Sequence, residues 1–159
     1  MRLLTIFFIS MLCWFQSANG QIRESFEHAD ESAELAEVFY KQASALSSSD
    51  LSNAYLGSAL ITKAKFEKGI KNKKPLIVKG ADLLDNAVKN KPKDLEIRLI
   101  RLIIQENVPG IVKYKMFIQE DKKVIIENYS SQSADIKKWI SGYANQSKAF
   151  TTEERKKLL

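Results

Sequence analysis

The only histidine of the chain, His28, lies in an acid-rich segment, with Glu24, Glu27 and Glu31 within one helical turn of it. An imidazole with carboxylates three and four positions away could hold a metal ion weakly. A lone histidine specifies little, however, and such a cluster is usually a solvated helix face. We therefore predict that the protein holds no metal here.

The rest of the chain offers no set of residues for nucleophilic or metal-assisted catalysis. A second histidine is lacking, and the only cysteine, Cys13, falls in a segment that we expect to be removed. Zinc hydrolysis and nucleophilic triads need such residues. Glu120 and Asp121 form a carboxylate pair, but neighbours in sequence point to different sides of a helix. The sequence thus predicts a protein that is not an enzyme and needs no cofactor.

Two arginines and a glutamine could bind an anionic group. Arg98, Arg101 and Gln105 follow Asp94 at intervals of four, three and four, which places them on one stripe of a helix. One interpretation is an internal ion pair between Asp94 and Arg98, with Arg101 reaching solvent, and we favour it. The other is a groove floor in which two guanidinium groups bind a carboxylate. The candidate binding residues are therefore Arg98, Arg101 and Gln105.

A lysine-rich stretch occupies positions 63–79, where Glu67 is the only acid. It lacks the series of interleaved aromatic residues found on surfaces that stack bases, and we expect the protein to be exported, so nucleic acid is not a predicted partner. A solvated face is the usual interpretation, and weak contact with anionic lipid or envelope polymer is the functional alternative. The lysines are Lys63, Lys65, Lys68, Lys71, Lys73, Lys74 and Lys79.

The arginine stripe lies on the most apolar segment after the N-terminus, residues 94–107. Outside the stripe this segment is apolar, which predicts a helix buried on most of its circumference. Asp94 can accept the first backbone N–H bonds as N-cap, and Asn107 followed by Pro109 and Gly110 ends the helix. The other segments must therefore cover this one.

Apolar residues at intervals of three and four predict about six helices in all. Besides the central one they span 24–46, 51–69, 75–90 and 116–128, with another capped by Ser133 and a last short turn that begins with the capping-box sequence Thr151 to Glu154. Small residues on the 51–69 helix predict a close approach by a neighbouring helix. The predicted core contains Leu56, Leu84, Ile97, Ile100, Leu102, Ile104, Ile125 and Trp139.

Residues 1–20 have the pattern of a signal peptide. Arg2 is followed by thirteen nearly all apolar residues, from Leu3 to Phe15, and by small residues at Ala18 and Gly20, which predicts cleavage before Gln21. An apolar run this short falls below the roughly 17 to 25 residues of a spanning helix, so no transmembrane span is predicted. Leu12 before Cys13 also disfavours a lipid anchor.

Cleavage would leave 139 of the 159 residues and no cysteine, so the predicted single domain 21–159 must be stabilised by a packed core. Loss of Arg2 leaves 24 basic residues against 19 acidic ones, a net charge of +5, which favours contact with anionic surfaces. We expect a bacterial periplasm or cell envelope, with secretion as the alternative.

Part of the chain resembles a tetratricopeptide repeat (TPR). Gly80, Leu84, Ala87 and Pro92 reproduce the small, large, small and proline signature of its second helix, and Leu56-Gly57 matches its Leu-Gly pair. The sequence departs from the repeat where Leu60 replaces Tyr and Asn53 replaces Trp, and the two halves lie about eleven residues too far apart.

The segment 96–109 also resembles a run in uncharacterised, exported TPR-like proteins of Bacteroidota. This resemblance implies an all-α fold, a short TPR-like stack of antiparallel helical hairpins, and brings no known activity. We expect a non-catalytic module that binds an envelope protein or peptide through a helical groove. The alternative is a carrier that holds a lipid or other apolar small molecule in a cavity lined by Trp139, Tyr143, Phe117 and Tyr114.

Overall fold

Eight α-helices and no β-strand make up the part of the chain that the computed structural model describes, residues 18–159. The helices are α1 (Ala18–His28), α2 (Ala33–Ala45), α3 (Asp50–Phe66), α4 (Ile70–Asn90), α5 (Leu95–Asn107), α6 (Ile118–Asn128), α7 (Ala134–Gln146) and α8 (Thr152–Lys156). Short 3-10 turns at Gly110–Val112 and Tyr129–Ser131 flank α6. The all-α prediction is confirmed, while the TPR-like stack stays a prediction.

Helix α5 is the most buried element, as its sequence predicts. Every residue from Leu95 to Leu102 is buried. The Asp94 carboxylate accepts the backbone N–H groups of Glu96 and Ile97, so the predicted N-cap is confirmed. The chain leaves the helix at Val108, just before Pro109.

Two apolar cores lie on opposite sides of α5. Ile97, Ile100 and Ile104 face the first, which α1 to α4 complete with residues such as Phe39 and Leu84. The second core contains residues from α5 to α7 and from the C-terminal segment, among them Leu99, Leu102, Ile125, Ile140, Phe150 and Leu158. Because these two faces are apolar, the polar stripe of α5 lies between them.

Helices α3 and α4 approach each other closely at two glycines. A Cβ atom placed on Gly57 would lie 2.6 Å from the carbonyl oxygen of Gly80, and one on Gly80 would lie 2.5 Å from that of Gly57. No side chain fits at either position without moving a backbone. The predicted close approach at the small residues of this helix is therefore confirmed.

The predicted helix 24–46 is wrong in one respect, because the chain breaks it at residues 29–32. The Ser32 hydroxyl accepts the backbone N–H of Leu35 and starts a new helix, α2. Ala29 in the break is buried, which kept the apolar period continuous across it. Periodicity alone therefore did not reveal two helices.

The predicted start of the next helix at Pro75 is also wrong, since α4 begins at Ile70. Pro75 removes the hydrogen bond to the carbonyl of Lys71, but both residues are exposed, so water can replace that bond. The turn is made by Gly69, whose φ of 76° suits glycine. The helix predicted from Met116 likewise starts two residues later, at Ile118.

Most of the predicted core and the later caps are confirmed. Of the eight core residues, only Leu56 and Trp139 are partly exposed. Ser133 caps α7, and Thr151 and Glu154 form the predicted capping box of α8.

The predicted signal peptide falls mostly on residues 1–17, outside the described residues. Helix α1 begins at Ala18 and passes through the predicted cleavage junction, and the first core side chain is Ile22. Every residue of the two cores described above therefore lies within 21–159. Within residues 18–159, no helix combines the length and apolar character needed to cross a membrane.

Candidate functional site

The arginine stripe of α5 converges on one carboxylate, that of Asp121 in α6. Arg98 Nη1 donates to Asp121 Oδ1 at 2.7 Å, and Arg101 donates to both carboxylate oxygens at 2.7 and 2.8 Å. Gln105 Nε2 adds a fourth hydrogen bond at 2.9 Å. The side chain of Asp121 is 0% exposed, so these donors replace its water completely.

Further groups surround this cluster and use its remaining donors. Arg98 also donates to Glu120 at 2.5 Å and to the Pro92 carbonyl at 2.9 Å, and Arg101 donates to Asp85 at 3.1 Å. The hydrogen bond from Arg98 lowers the pKa of the Glu120 carboxyl. The cluster thus connects α4, α5 and α6 through charge-assisted hydrogen bonds.

The predicted Asp94–Arg98 ion pair is wrong, and so is a solvent-facing Arg101. Asp94 is used as a helix cap, Arg98 pairs with α6, and Arg101 is only 3% exposed. A helix 20 residues away in sequence supplies the partner, Asp121, which no local pattern indicated. Because Arg98, Arg101 and Gln105 are buried and engaged with the protein's own carboxylates, their geometry favours a structural role over a groove floor.

A cleft of about 980 Å³ opens on another side of α5, between α1 and α7. Ile103 and Ile104 of α5 and the rings of Trp139 and Tyr143 of α7 supply apolar surface to it. Three basic residues line it, Arg23, Lys138 and Lys148. Six carboxylates line it as well, so its charge is opposite to that of the whole chain; they are Glu24, Glu27, Asp30, Glu31, Glu106 and Asp135.

Arg23 and Glu96 hold α1 against α5 at one end of this cleft. Arg23 Nε and Nη2 donate to the two oxygens of Glu96 at 2.9 and 2.6 Å, a bidentate pair. The Tyr55 hydroxyl donates to Glu96 Oε1 at 2.5 Å. Arg23 also pairs with Asp135 of α7 and lies 5.3 Å from the centre of the Trp139 ring. The hydrogen bond to Glu96 raises the pKa of the Arg23 guanidinium, and this effect is larger than the opposing effect of burying Arg23.

Glu106, near the C-terminal end of α5, holds α7 against α5. Its carboxylate accepts hydrogen bonds from the hydroxyls of Tyr143 and Ser147 and from the backbone N–H of Ala149, the last at 3.0 Å. Burial and the hydrogen bond to Glu106 raise the pKa of the Tyr143 hydroxyl. These hydrogen bonds hold the end of α7 against the end of α5.

The carboxylates that α1 and the turn after it present to the cleft are more exposed than those of Glu96 and Glu106. Glu27 accepts a hydrogen bond from Trp139 Nε1 at 2.6 Å, and His28 Nδ1 lies 2.6 Å from Glu31 Oε1. The hydrogen bond with Glu31 raises the pKa of His28, which is 57% exposed. Nowhere in residues 18–159 do three or more His, Cys, Asp or Glu side chains gather in a way that could hold a metal ion.

The four aromatic residues predicted to line a carrier cavity lie in two different places. Trp139 and Tyr143 line the cleft. Tyr114 donates to Asp85 at 2.8 Å, and the Phe117 ring lies 4.4 Å from the Arg101 guanidinium, so both belong to the cluster around Asp121. The cleft itself was not predicted, because α1 and α7 are more than 100 residues apart in sequence.

Comparison with protein-family models, with curated proteins and with solved structures gave no match to this chain in any of the three.

Proposed function

We propose that the protein is an exported, non-catalytic interaction module of the cell envelope that binds a protein or peptide in the cleft between α1, α5 and α7. The observation that carries this proposal is an open cleft of about 980 Å³ with an aromatic and aliphatic floor and a carboxylate rim. Interfaces of this kind use buried aromatic residues as anchors and polar groups at the edge for specificity.

The sign of the rim indicates the chemistry of the partner. Glu24, Glu27 and Glu31 are exposed on the α1 side, where a lysine or arginine of a bound segment could reach them. The Trp139 ring, which the Arg23 guanidinium already approaches, also lines the cleft and can contact apolar side chains of a bound segment. The module accordingly binds an extended segment that carries both basic and apolar residues.

Helical packing supports a stack of hairpins as the scaffold for this module. Each helix from α1 to α5 packs against the next one along the chain. Such an arrangement of consecutive pairs is what a short TPR-like stack requires. The carrier alternative has less support, because the cleft is open, its rim is charged, and Tyr114 and Phe117 are not part of it.

Trp139 makes the proposal directly testable. Trp14 is removed with the predicted signal peptide, so Trp139 is the single tryptophan of residues 21–159, and its fluorescence reports on the cleft. Polypeptides that co-purify with the protein from its native envelope are identified by mass spectrometry, and matching synthetic peptides are titrated. We expect a saturable change in Trp139 emission that is greater for basic peptides.

Two variants provide the control for this titration. Glu27→Gln and Glu31→Gln together should weaken binding several-fold, whereas Glu153→Gln with Glu127→Gln removes the same charge from exposed sites outside the cleft and should not. A stoichiometric lipid with no polypeptide partner would contradict the proposal and favour the carrier.

Intact-mass measurement tests the export part of the proposal. The protein isolated from the envelope fraction should begin at Gln21 and carry no added mass. Retention of residues 1–20, or a lipid on Cys13, would overturn this localisation.

A further inference from the structure

The turn between α3 and α4 forms a tip in which the chain has no buried residue. Positions 65–79 are all exposed or only partly buried, and the first buried residue of α4 is Gly80. Helix α4 therefore extends beyond the core by about its first half. None of the residues of this tip lines the cleft.

The lysine-rich stretch divides into two parts at this tip. Lys63 pairs with Glu37 at 2.7 Å, and Lys65 pairs with Asp30 at 3.2 Å. Carboxylates of neighbouring segments therefore neutralise the first two lysines of the stretch. The remaining exposed lysines have no carboxylate of residues 18–159 within 4.0 Å of their ammonium groups. They are Lys68, Lys71, Lys74 and Lys79.

Apolar side chains are exposed among these lysines. Ile70 is 74% exposed and Val78 is 50% exposed. Ile70, Lys74 and Val78 follow one another at intervals of four, which places them along one side of α4. We call the set Lys68, Ile70, Lys71, Lys74, Val78 and Lys79 the basic tip. Asp82, one turn beyond Val78, ends it.

We propose that the basic tip docks the protein onto the surface of an anionic lipid bilayer. Lysines near such a surface are attracted to its headgroups, each one strengthening binding by roughly fivefold. Ile70 lies at the end of the helix, where it can enter the interface between headgroups and acyl chains while the lysine stems extend back towards the phosphates. A soluble polyanion would be attracted by the lysines alone and would gain nothing from Ile70 and Val78.

Docking is tested with residues 21–159, the mature chain that the cleavage prediction gives and that contains the described residues of both cores, and with lipid vesicles. Binding to phosphatidylglycerol-containing vesicles and to pure phosphatidylcholine vesicles is measured by co-sedimentation. We expect binding to the anionic vesicles that weakens as salt is added, and little binding to the neutral ones. Absence of binding to the anionic vesicles would overturn the proposal.

Charge-matched variants locate the surface. Changing Lys71, Lys74 and Lys79 together to Ala should weaken vesicle binding on the order of a hundredfold. The control removes the same charge from exposed lysines at the opposite end of α4, in the variant K89A/K91A/K93A, and should change binding less than about threefold. Equal losses in the two variants would show attraction by net charge and would overturn a specific docking surface.

The apolar part has its own pair of variants. Ile70→Ser should weaken vesicle binding several-fold, whereas Met116→Ser, at a side chain that is 72% exposed and lies outside the basic tip, should not. Soluble polyphosphate is measured alongside. Binding to polyphosphate as strong as to vesicles, with no effect of Ile70→Ser on either, would assign the tip to a soluble polyanion and refute the bilayer.

Discussion

Asp121 is the residue whose carboxylate this fold depends on most, so we expect a large loss of stability when that carboxylate is replaced. It accepts four hydrogen bonds from Arg98, Arg101 and Gln105, and both arginines are buried with it, at 5% and 3% exposed. Asp121→Asn removes the negative charge and leaves two guanidinium groups that cannot turn to water. Breaking a buried ion pair in this way costs about 3–5 kcal/mol, and we expect that decrease in the free energy of unfolding.

Glu120 offers a matched control at the adjacent position. It also contacts Arg98, at 2.5 Å, but its side chain is 53% exposed. Because the Glu120 carboxylate is half-exposed and water screens it, its pair with Arg98 contributes at most about 1 kcal/mol, so Glu120→Gln should lower the free energy of unfolding by less than that. Both variants remove one negative charge, so a difference between them reports burial and not net charge.

Unfolding in urea provides the measurement. Circular dichroism and the fluorescence of Trp139 monitor the same transition. Coincident transitions from the two signals would show two-state unfolding and justify the comparison of free energies. Adding Arg101→Met to Asp121→Asn removes one of the two guanidinium groups that have lost the Asp121 carboxylate, so the double variant should lose less than the sum of the single losses. A loss below about 1 kcal/mol for Asp121→Asn, or one equal to that of Glu120→Gln, would refute the reasoning.

Three further predictions concern packing and titration. Gly80→Ala should cost about 1–3 kcal/mol because its Cβ would lie 2.5 Å from a backbone carbonyl oxygen of α3, while Gly142→Ala meets nothing within 4 Å and serves as the control in the same urea experiment. Ile100→Ala should cost about 2–5 kcal/mol by urea unfolding, since Ile100 is fully buried, and a loss near zero would contradict its place in the core. The imidazole signals of His28, followed by NMR, should titrate above 6.5, and Glu31→Gln should lower that pKa. The stability that this hydrogen bond adds is complete below pH 6.5 and is lost as pH rises through the higher pKa of the folded protein.

Local signals explain the parts of the fold that could be predicted from the sequence. Helix α5 has its cap, its polar stripe and its apolar faces within fourteen residues, 94–107, so its period and its ends were both readable. The same holds for the caps at Ser133 and Thr151. Each of these features depends on contacts between residues three or four apart.

The partners of the buried charges depend on tertiary structure and could not be predicted. Asp121 is followed by Lys122 and Lys123, so its segment resembles a solvated helix face although its own side chain is completely buried. Arg23 lies 73 residues from Glu96, with which it pairs at the edge of the cleft. A stripe of arginines on a buried helix does indicate that carboxylates must come from elsewhere, but not which ones.

Burial separates the charges of this protein into two groups with different roles. Around Asp121 the charged groups have exchanged water for one another, so each of them is needed by its partners and a ligand could recruit one only by breaking a buried pair. Glu24 and Glu31, on the α1 side of the cleft, are exposed and keep their water, and a ligand could bind them at the small cost of displacing it. Exposed carboxylates that line the cleft are therefore better placed for recognition than the buried arginines of α5.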